Sequence, residues 1–229
     1  MRMSETYGLN DAMALISARH SVRRYLDRPI PEEIRRRLDD YAAGLNGQSG
    51  LHIQVIYDEP DCFRSRMARY GRFRGCANYV AMVGKRSAGT EEKSGFFGEL
   101  MVLKAQELGL NTCWVALTHG KSKAVVAPGE TEVILIALGY GQDPGAPRKS
   151  KAPAAVSNVA PDSPDWFKRG VEAALLAPTA VNQQKFSFTL DGRTVRAAAG
   201  RLGTCLNIDL GIVKCHFEIG AGRDESVWA

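Results

Sequence analysis

The chain has 229 residues, 45% of them hydrophobic and 24% charged, with a formal net charge of +5 at neutral pH. That length and balance fit a folded globular chain with a real core and exclude a disordered or low-complexity protein. No apolar run approaches the roughly 20 residues that a bilayer span needs, and the start, MRMSETYGLNDAM, lacks the apolar stretch of a secretion signal.

The first informative stretch is SARHSVRRYL, Ser17 to Leu26, where Arg19, His20, Arg23 and Arg24 surround the Ser21 hydroxyl. A helix is predicted from about Pro31 to Leu45. Pro31 suits its first turn, Glu32 and Glu33 favour the positive end of its dipole, and Ile34, Leu38, Tyr41 and Leu45 recur at helical spacing. GLNGQSG, 44–50, reads as a loop. LHIQVIY, 51–57, and ANYVAMVG, 77–84, read as strands. Gly95 to Leu108 reads as a helix with Phe97, Met101, Ala105 and Leu108 on one face, ended by Gly109. CWVAL, 113–117, and EVILIALGYG, 132–141, have the continuous apolar character of buried strands.

The composition then changes. Residues 141–165 hold five of the ten prolines, which marks a linker or a long surface arm. A helix from Trp166 to Ala177, a loop and a strand KFSFTL, 185–190, follow. Asp191-Gly192 is a tight-turn signal that leads into TVRAA, so a hairpin is predicted. A last helix runs from Leu206 to about Ile219. The helix, loop and strand of 31–57 recur in outline over 164–190, with GLNGQSG standing where APTAVNQQ, 177–184, stands later. This echo suggests a first half over 1–140, a proline-rich arm over 141–165, and a second half over 166–229.

Three segments carry the chemistry. In RHSVR the guanidiniums of Arg19 and Arg23 flank a hydroxyl, an arrangement that grips phosphate with charge-assisted hydrogen bonds. RKSK, Arg148 to Lys151, repeats cations about a serine. APTAVNQQ offers Pro178, Thr179, Asn182 and Gln184, whose uncharged donors and acceptors suit the edge of a flat heterocycle. Phosphate and heterocycle together describe a nucleotide-like cofactor. Neither a G-x-x-x-x-G-K-[ST] loop nor a strand-borne G-x-G-x-x-G is present, so side chains would hold the anion. That favours a flavin mononucleotide over a Rossmann dinucleotide. The five cysteines are scattered without a C-x-x-C pair, and there are only four histidines, so no metal site is expected and reduced thiols in a cytoplasmic protein are. The positive charge is not gathered into one stripe, and no nucleic-acid-binding pattern occurs.

On these residues the sequence resembles the FMN-dependent nitroreductase family over most of its length. RHSVRRY is similar to the family's opening phosphate motif. LKAQELGLNTCWVAL, 103–117, resembles the helix, turn and strand behind the flavin. LGYGQDPGAPRKSK resembles the late Gly-Tyr strand end with its Lys-x-Lys/Arg clamp, and APTAVNQQKF resembles the Ala-Pro-Ser-x-x-Asn-x-Gln-Pro-Trp loop. The resemblance implies an α+β nitroreductase-like fold, with a mixed central sheet flanked by helices. It implies that Arg19, His20, Ser21 and Arg23 meet phosphate and ribityl oxygens, with Lys149 and Lys151 completing the clamp. Trp114, Val115 and Ala116 would present a backbone N–H to flavin N5, and Pro178, Thr179, Asn182 and Gln184 would meet the pyrimidine edge. No side-chain catalytic residue is then expected, because the flavin carries the chemistry.

Two departures stand out. Lys185-Phe186 replaces Pro-Trp, and the good loop copy comes late in the chain, whereas ordinary members carry it early and borrow it across a homodimer. That order resembles the single-chain branch first catalogued from a thermophile. It implies one chain folded as an intramolecular pseudo-dimer, a monomer whose further homo-oligomerisation the sequence leaves open. The implied activity is hydride transfer from NADH or NADPH to FMN and on to a small electron-poor acceptor (nitroaromatic, quinone or enone) in a ping-pong cycle. The alternatives are a flavin-binding module without turnover and an NAD(P)H:flavin reductase. No nucleic-acid or membrane partner is expected. Arg72 and Arg74 of YGRFRG are either flavin contacts or strand-edge charges, Cys113 reads as a structural thiol, and His216 and Glu218 read as bystanders on the last helix.

Overall fold

The computed structural model describes residues 7–229. Seven α-helices lie among them: α1 (Ala12–Ala18), α2 (Glu32–Ser49), α3 (Asp61–Arg64), α4 (Arg66–Tyr70), α5 (Ala88–Glu107), α6 (Asp165–Ala174) and α7 (Leu206–Ala221). The strands are β1 (Gln54–Ile56), β2 (Asn78–Lys85), β3 (Asn111–Val115), β4 (Glu130–Gly139), β5 (Phe186–Asp191) and β6 (Thr194–Ala199). β1 to β4 form a four-stranded sheet in the order β1-β2-β4-β3, each pair antiparallel. Parallel pairing joins this sheet only at its margin, where Ser21 bridges Thr112. β5 and β6 form the expected hairpin, a separate two-stranded sheet.

The sheet is buried on both faces, which is why β2 and β4 read as continuous apolar runs. The two-residue period still sorts the side chains. Val80 and Met82 of β2 join one hydrophobic cluster with Leu100 and Leu103 of α5, while Tyr79, Ala81 and Val83 join a second with Phe63 and Phe73. No helix among the described residues is long and apolar enough to cross a membrane.

The expected loop at 44–50 is instead the last turns of α2. Gly44 and Gly47 have open space where a Cβ would stand, so they weaken the helix without breaking it. The helix stops at Gly50, whose φ of 69° and N–H bond to Asn46 O make a left-handed C-cap. The Asn46 side chain then fixes the exit, accepting from Ile53 N at 2.6 Å and donating to Ile53 O at 3.0 Å. α5 starts earlier than its apolar periodicity announces, because Ser87 caps it by accepting from Thr90 N at 3.1 Å. Helices α1, α3 and α4 are too short to show a period, and the sequence reading has none of them.

α5 and α7 are the centre of the packing. A Cβ on Gly95 of α5 would strike the Ile208 carbonyl of α7, and one on Gly211 of α7 would strike the Glu92 carbonyl of α5. Reciprocal glycines thus let the two backbones touch. On another side of α7, a Cβ on Gly170 would lie 2.7 Å from the Phe217 ring, so the ring packs directly on the α6 backbone. Phe167, Phe188 and Phe217 are fully buried in the same cluster as Leu100 and Met101. One apolar core therefore unites residues before and after the proline-rich arm.

Candidate functional site

The opening motif is an extended strip tied down on several sides. Val22 N donates to Thr112 O at 3.0 Å, which lays the strip along β3. Tyr25 N donates to Arg74 O and Arg74 N to Arg23 O, at 2.9 and 3.0 Å, and Leu26 N donates to Tyr140 O at 2.8 Å. The buried Tyr25 hydroxyl closes the turn on Val22 O at 2.7 Å. These bonds place Ser21 and Arg23 on the wall of three cavities of about 100, 440 and 930 Å³.

The 440 Å³ cavity gathers cations. Arg19, His20 and Ser21 face Arg148, Lys149, Pro178, Thr179 and Asn182 across it. Arg19 is 3% exposed, and its Nε is 3.7 Å from Glu99 Oε1, too far for a hydrogen bond. Arg148 Nη2 donates to the Arg19 carbonyl, and lies 3.4 Å from His20 Nδ1. Arg19 Nε and Arg148 Nη1 are both buried without a hydrogen-bond partner. Burial, and then the Arg19 charge, bring Arg148 down to about 10. Burial and the neighbouring guanidiniums also lower His20, so near neutral pH its ring is an uncharged hydrogen-bonding group. Arg19 has the Glu99 carboxylate at ion-pair distance, whereas Arg148 has none among the described residues and is costly to bury unless an anion meets it. The residues present fit the phosphate of FMN.

The 100 Å³ cavity lies between Trp114 and Ala116 on one side and Pro178 to Val181 with Asp209 and Ile212 on the other. Val115 does not face it, since the strand alternation sends its side chain into the cluster with Leu135 and Ala137. Cys113 reaches the wall, but burial pushes its thiol up, in keeping with a structural role.

The 178–184 loop spends most of its polar groups on itself. Asn182 and Gln184 both donate to Lys149 O, at 2.8 and 2.9 Å, and Gln184 also donates to Asn182 Oδ1 at 3.1 Å. Gln184 Oε1 accepts from Lys151 N at 2.8 Å. Lys151 Nζ donates to the carbonyls of Gln183 and Gln184, at 3.1 and 2.8 Å. Thr179 Oγ1 accepts from Gln184 N at 3.0 Å and keeps its own proton to donate. These bonds hold Val181, Asn182 and Gln184 at positive φ, 46°, 56° and 45°, which side-chain-bearing residues resist. Two expectations change as a result. Gln184, 4% exposed, and Lys151 brace the loop and do not line the cavities with Arg19 and Arg23. Arg148, beside Lys149, lines the 440 Å³ cavity where Lys151 does not.

The sequence reading missed the groups beneath the site. Glu99, fully buried on α5, accepts from Trp114 Nε1 at 2.9 Å and lies 2.8 Å from His216 Nε2. His216 Nδ1 is 3.1 Å from Ala173 O. The ring is held between that carbonyl and the Glu99 carboxylate. Glu99 thus links Arg19, Trp114 and α7. Asp209, at the start of α7, accepts from Ala180 N at 3.0 and 3.1 Å and from Gln183 Nε2 at 2.7 Å, fixing the loop from below. Burial pushes its carboxyl up to about 6 against those hydrogen bonds. A single acid inside an apolar run was the sequence signal for each, FFGELMVL for Glu99 and LNIDLGIV for Asp209.

This antiparallel sheet, helix-backed and bordered by a cationic strip, is the α+β nitroreductase-like fold. The model of the family described as "Putative TM nitroreductase" matches residues 11–221, and the chain belongs to that family. The fold is similar to that of a "putative nitroreductase" from Thermotoga maritima, at TM-score 0.68 and 21% identity, over 92% of this chain and 83% of that one. It is also similar to a "putative nitroreductase" in complex with FMN from Desulfovibrio desulfuricans, at TM-score 0.51 and 21% identity, over 67% of this chain and 99% of that one. A nitroreductase-like protein from Streptococcus mutans aligns at TM-score 0.52 and 13% identity, over 66% and 98% of the two chains. No curated protein matches the chain.

Proposed function

We propose that the chain is an FMN-dependent oxidoreductase of nitroreductase type that builds its flavin site within one polypeptide. One observation carries this reading: the opening motif and the late 178–182 loop meet across one cavity lined by Arg19, Arg148 and Lys149, and Arg19 and Arg148 each keep a buried guanidinium nitrogen without a hydrogen-bond partner. In this reading Arg19, Arg148 and Lys149 hold the phosphate, with His20 and Ser21 as uncharged partners. Trp114 and Ala116 form one wall of the ring pocket, and Pro178 and Thr179 the opposite wall. Glu99 orients Arg19 and Trp114 from below, and Gln184 and Lys151 keep the loop's shape. Bound there, FMN would accept a hydride from NADH or NADPH at N5 and pass two electrons to a small electron-poor acceptor, and the protein's part is to position and screen it.

The pseudo-dimer reading has support from the length of the relatives. The Desulfovibrio chain is covered almost completely by two thirds of this one, which leaves a third of the present chain beyond a single subunit of that kind. The purified protein is expected to be yellow, to release FMN on denaturation and to bleach anaerobically with NADH or NADPH. A colourless protein that does not take up FMN removes the proposal, and a yellow one that no reductant bleaches reduces it to a passive binder. Mixing inactive Arg19→Ala and Asn182→Ala chains is expected to restore nothing; efficient rescue would show a site shared between chains.

A further inference from the structure

The 930 Å³ cleft beside Ser21 has a wall that the flavin does not account for. Arg23, Arg24, Arg69, Arg72 and Arg74 line it with a single carboxylate, Asp143. Arg24 takes that carboxylate, with Nη2 at 2.8 Å and Nε at 3.2 Å from one oxygen. The other four guanidiniums have no carboxylate within ion-pair distance among the described residues. Their grouping is built into the backbone. Arg74 is bridged to Arg24 and hydrogen-bonded to Arg23 O, which holds the two arginine segments side by side. Arg72 sits at φ 65°, a left-handed conformation that favours glycine, fixed by its N–H bond to Arg69 O at 3.0 Å and by Phe73 N to Ala68 O at 3.0 Å. The five arginines are exposed, and the left-handed Arg72 closes the end of α4, so what marks the cleft is four guanidiniums gathered without a carboxylate of their own.

We propose that this cleft is a second anion subsite, adjoining the flavin-phosphate cavity at Ser21 and Arg23, which takes the phosphates of a nicotinamide dinucleotide and favours the one bearing a 2′-phosphate. The co-substrate's identity rests on the proposed function; the anion site does not. Charge decides the preference. A dinucleotide pyrophosphate carries about two negative charges, and a 2′-phosphate adds about 1.5 to 2 more, which matches four unneutralised guanidiniums. Guanidinium forks bind phosphate bidentately, so the match is geometric as well as electrostatic. The cleft shares Ser21 and Arg23 with the cavity assigned to the flavin, so a ligand anchored there has its far end beside the ring pocket.

The test is calorimetric titration of the protein as purified with adenosine 2′,5′-bisphosphate, 5′-AMP and inorganic pyrophosphate, with FMN content read by absorbance. The bisphosphate is expected to bind at least about tenfold tighter than 5′-AMP or pyrophosphate, and to weaken steeply as salt is raised. Arg69→Gln with Arg72→Gln is expected to weaken it about 10- to 100-fold with FMN content unchanged. Arg72→Gly, which suits the backbone at that position, is expected to weaken it about tenfold and to fold at least as well. Equal binding of bisphosphate and 5′-AMP, pyrophosphate binding as tightly as the bisphosphate, or variants that bind like the wild type would each overturn the subsite. Loss of FMN from the variants would overturn it too, by making Arg72 a flavin contact. If the protein takes up no flavin, the proposed function fails separately, and the same titration still judges the cleft.

Discussion

The opening strip and the late loop face each other across one cavity, yet they handle their polar groups in opposite ways. The strip's Arg19, like Arg148 of the proline-rich arm beside it, keeps a buried donor without a hydrogen-bond partner. The loop closes Asn182, Gln184 and Lys151 upon itself and upon Lys149 O. A surface that must bind an anion keeps donors in reserve and is less stable for it. A surface that must hold a shape satisfies its own hydrogen bonds, and is stable at the expense of free groups for recognition.

The largest effect expected is at Glu99, which joins both sides. Glu99→Leu strands the Trp114 indole, the His216 ring and the Arg19 charge, and is expected to lower stability by about 3–5 kcal/mol in urea unfolding; a cost below about 1 kcal/mol would show that the network is not coupled. Next comes pH. Burial raises Asp209 to about 6 and Glu218 to about 7. Both exceed their unfolded values near 4, so each contribution is complete below about pH 4 and is lost as pH rises through 6 and 7, by at most about 3 kcal/mol apiece. The urea midpoint is expected to fall between pH 5 and 8 in the wild type, and to fall less in Asp209→Asn with Glu218→Gln. An equal slope in both proteins would contradict the burial.

The sharpest contrast pairs Arg148→Met with Gln184→Ala. The first removes an orphaned donor from the strip's side, so stability is expected to stay within about 1 kcal/mol of wild type while FMN affinity drops about 10- to 100-fold. The second leaves Lys151 N without its acceptor and Lys149 O with only the Asn182 donor, and is expected to cost about 1–3 kcal/mol of stability, with FMN affinity changed less than about tenfold. If both variants lose stability and flavin together, the division between the two surfaces fails. The smallest effect is at Gly47, exposed late in α2 with nothing near its missing Cβ. Gly47→Ala is expected to gain about 0.5–1 kcal/mol, read from thermal unfolding.

Much of the fold was legible because burial imprints periodicity. The apolar runs of β2 and β4, the hairpin at Asp191-Gly192 and α7 stand close to where their residues place them. GLNGQSG misled because Gly44 and Gly47 weaken the helix without ending it, and only Gly50, the third glycine, stops it. In the site, Arg19, His20, Ser21, Arg23, Trp114, Ala116, Lys149, Pro178, Thr179 and Asn182 do line shared cavities. The side chains of Val115, Lys151 and Gln184 do not: alternation along β3 turns Val115 inward, and Lys151 and Gln184 are drawn into hydrogen bonds 33 positions apart in the chain.

By itself, then, the sequence determined which residue types were present and in what local order: the cations about Ser21, the amide-rich loop, the buried strands. Only the tertiary structure decided which of those polar groups would be consumed internally and which left open. The reason is that a donor's fate depends on the acceptors within about 3 Å of it, and those acceptors, Glu99 for Trp114 or the Lys149 carbonyl for Gln184, lie 15 and 35 positions away in the chain.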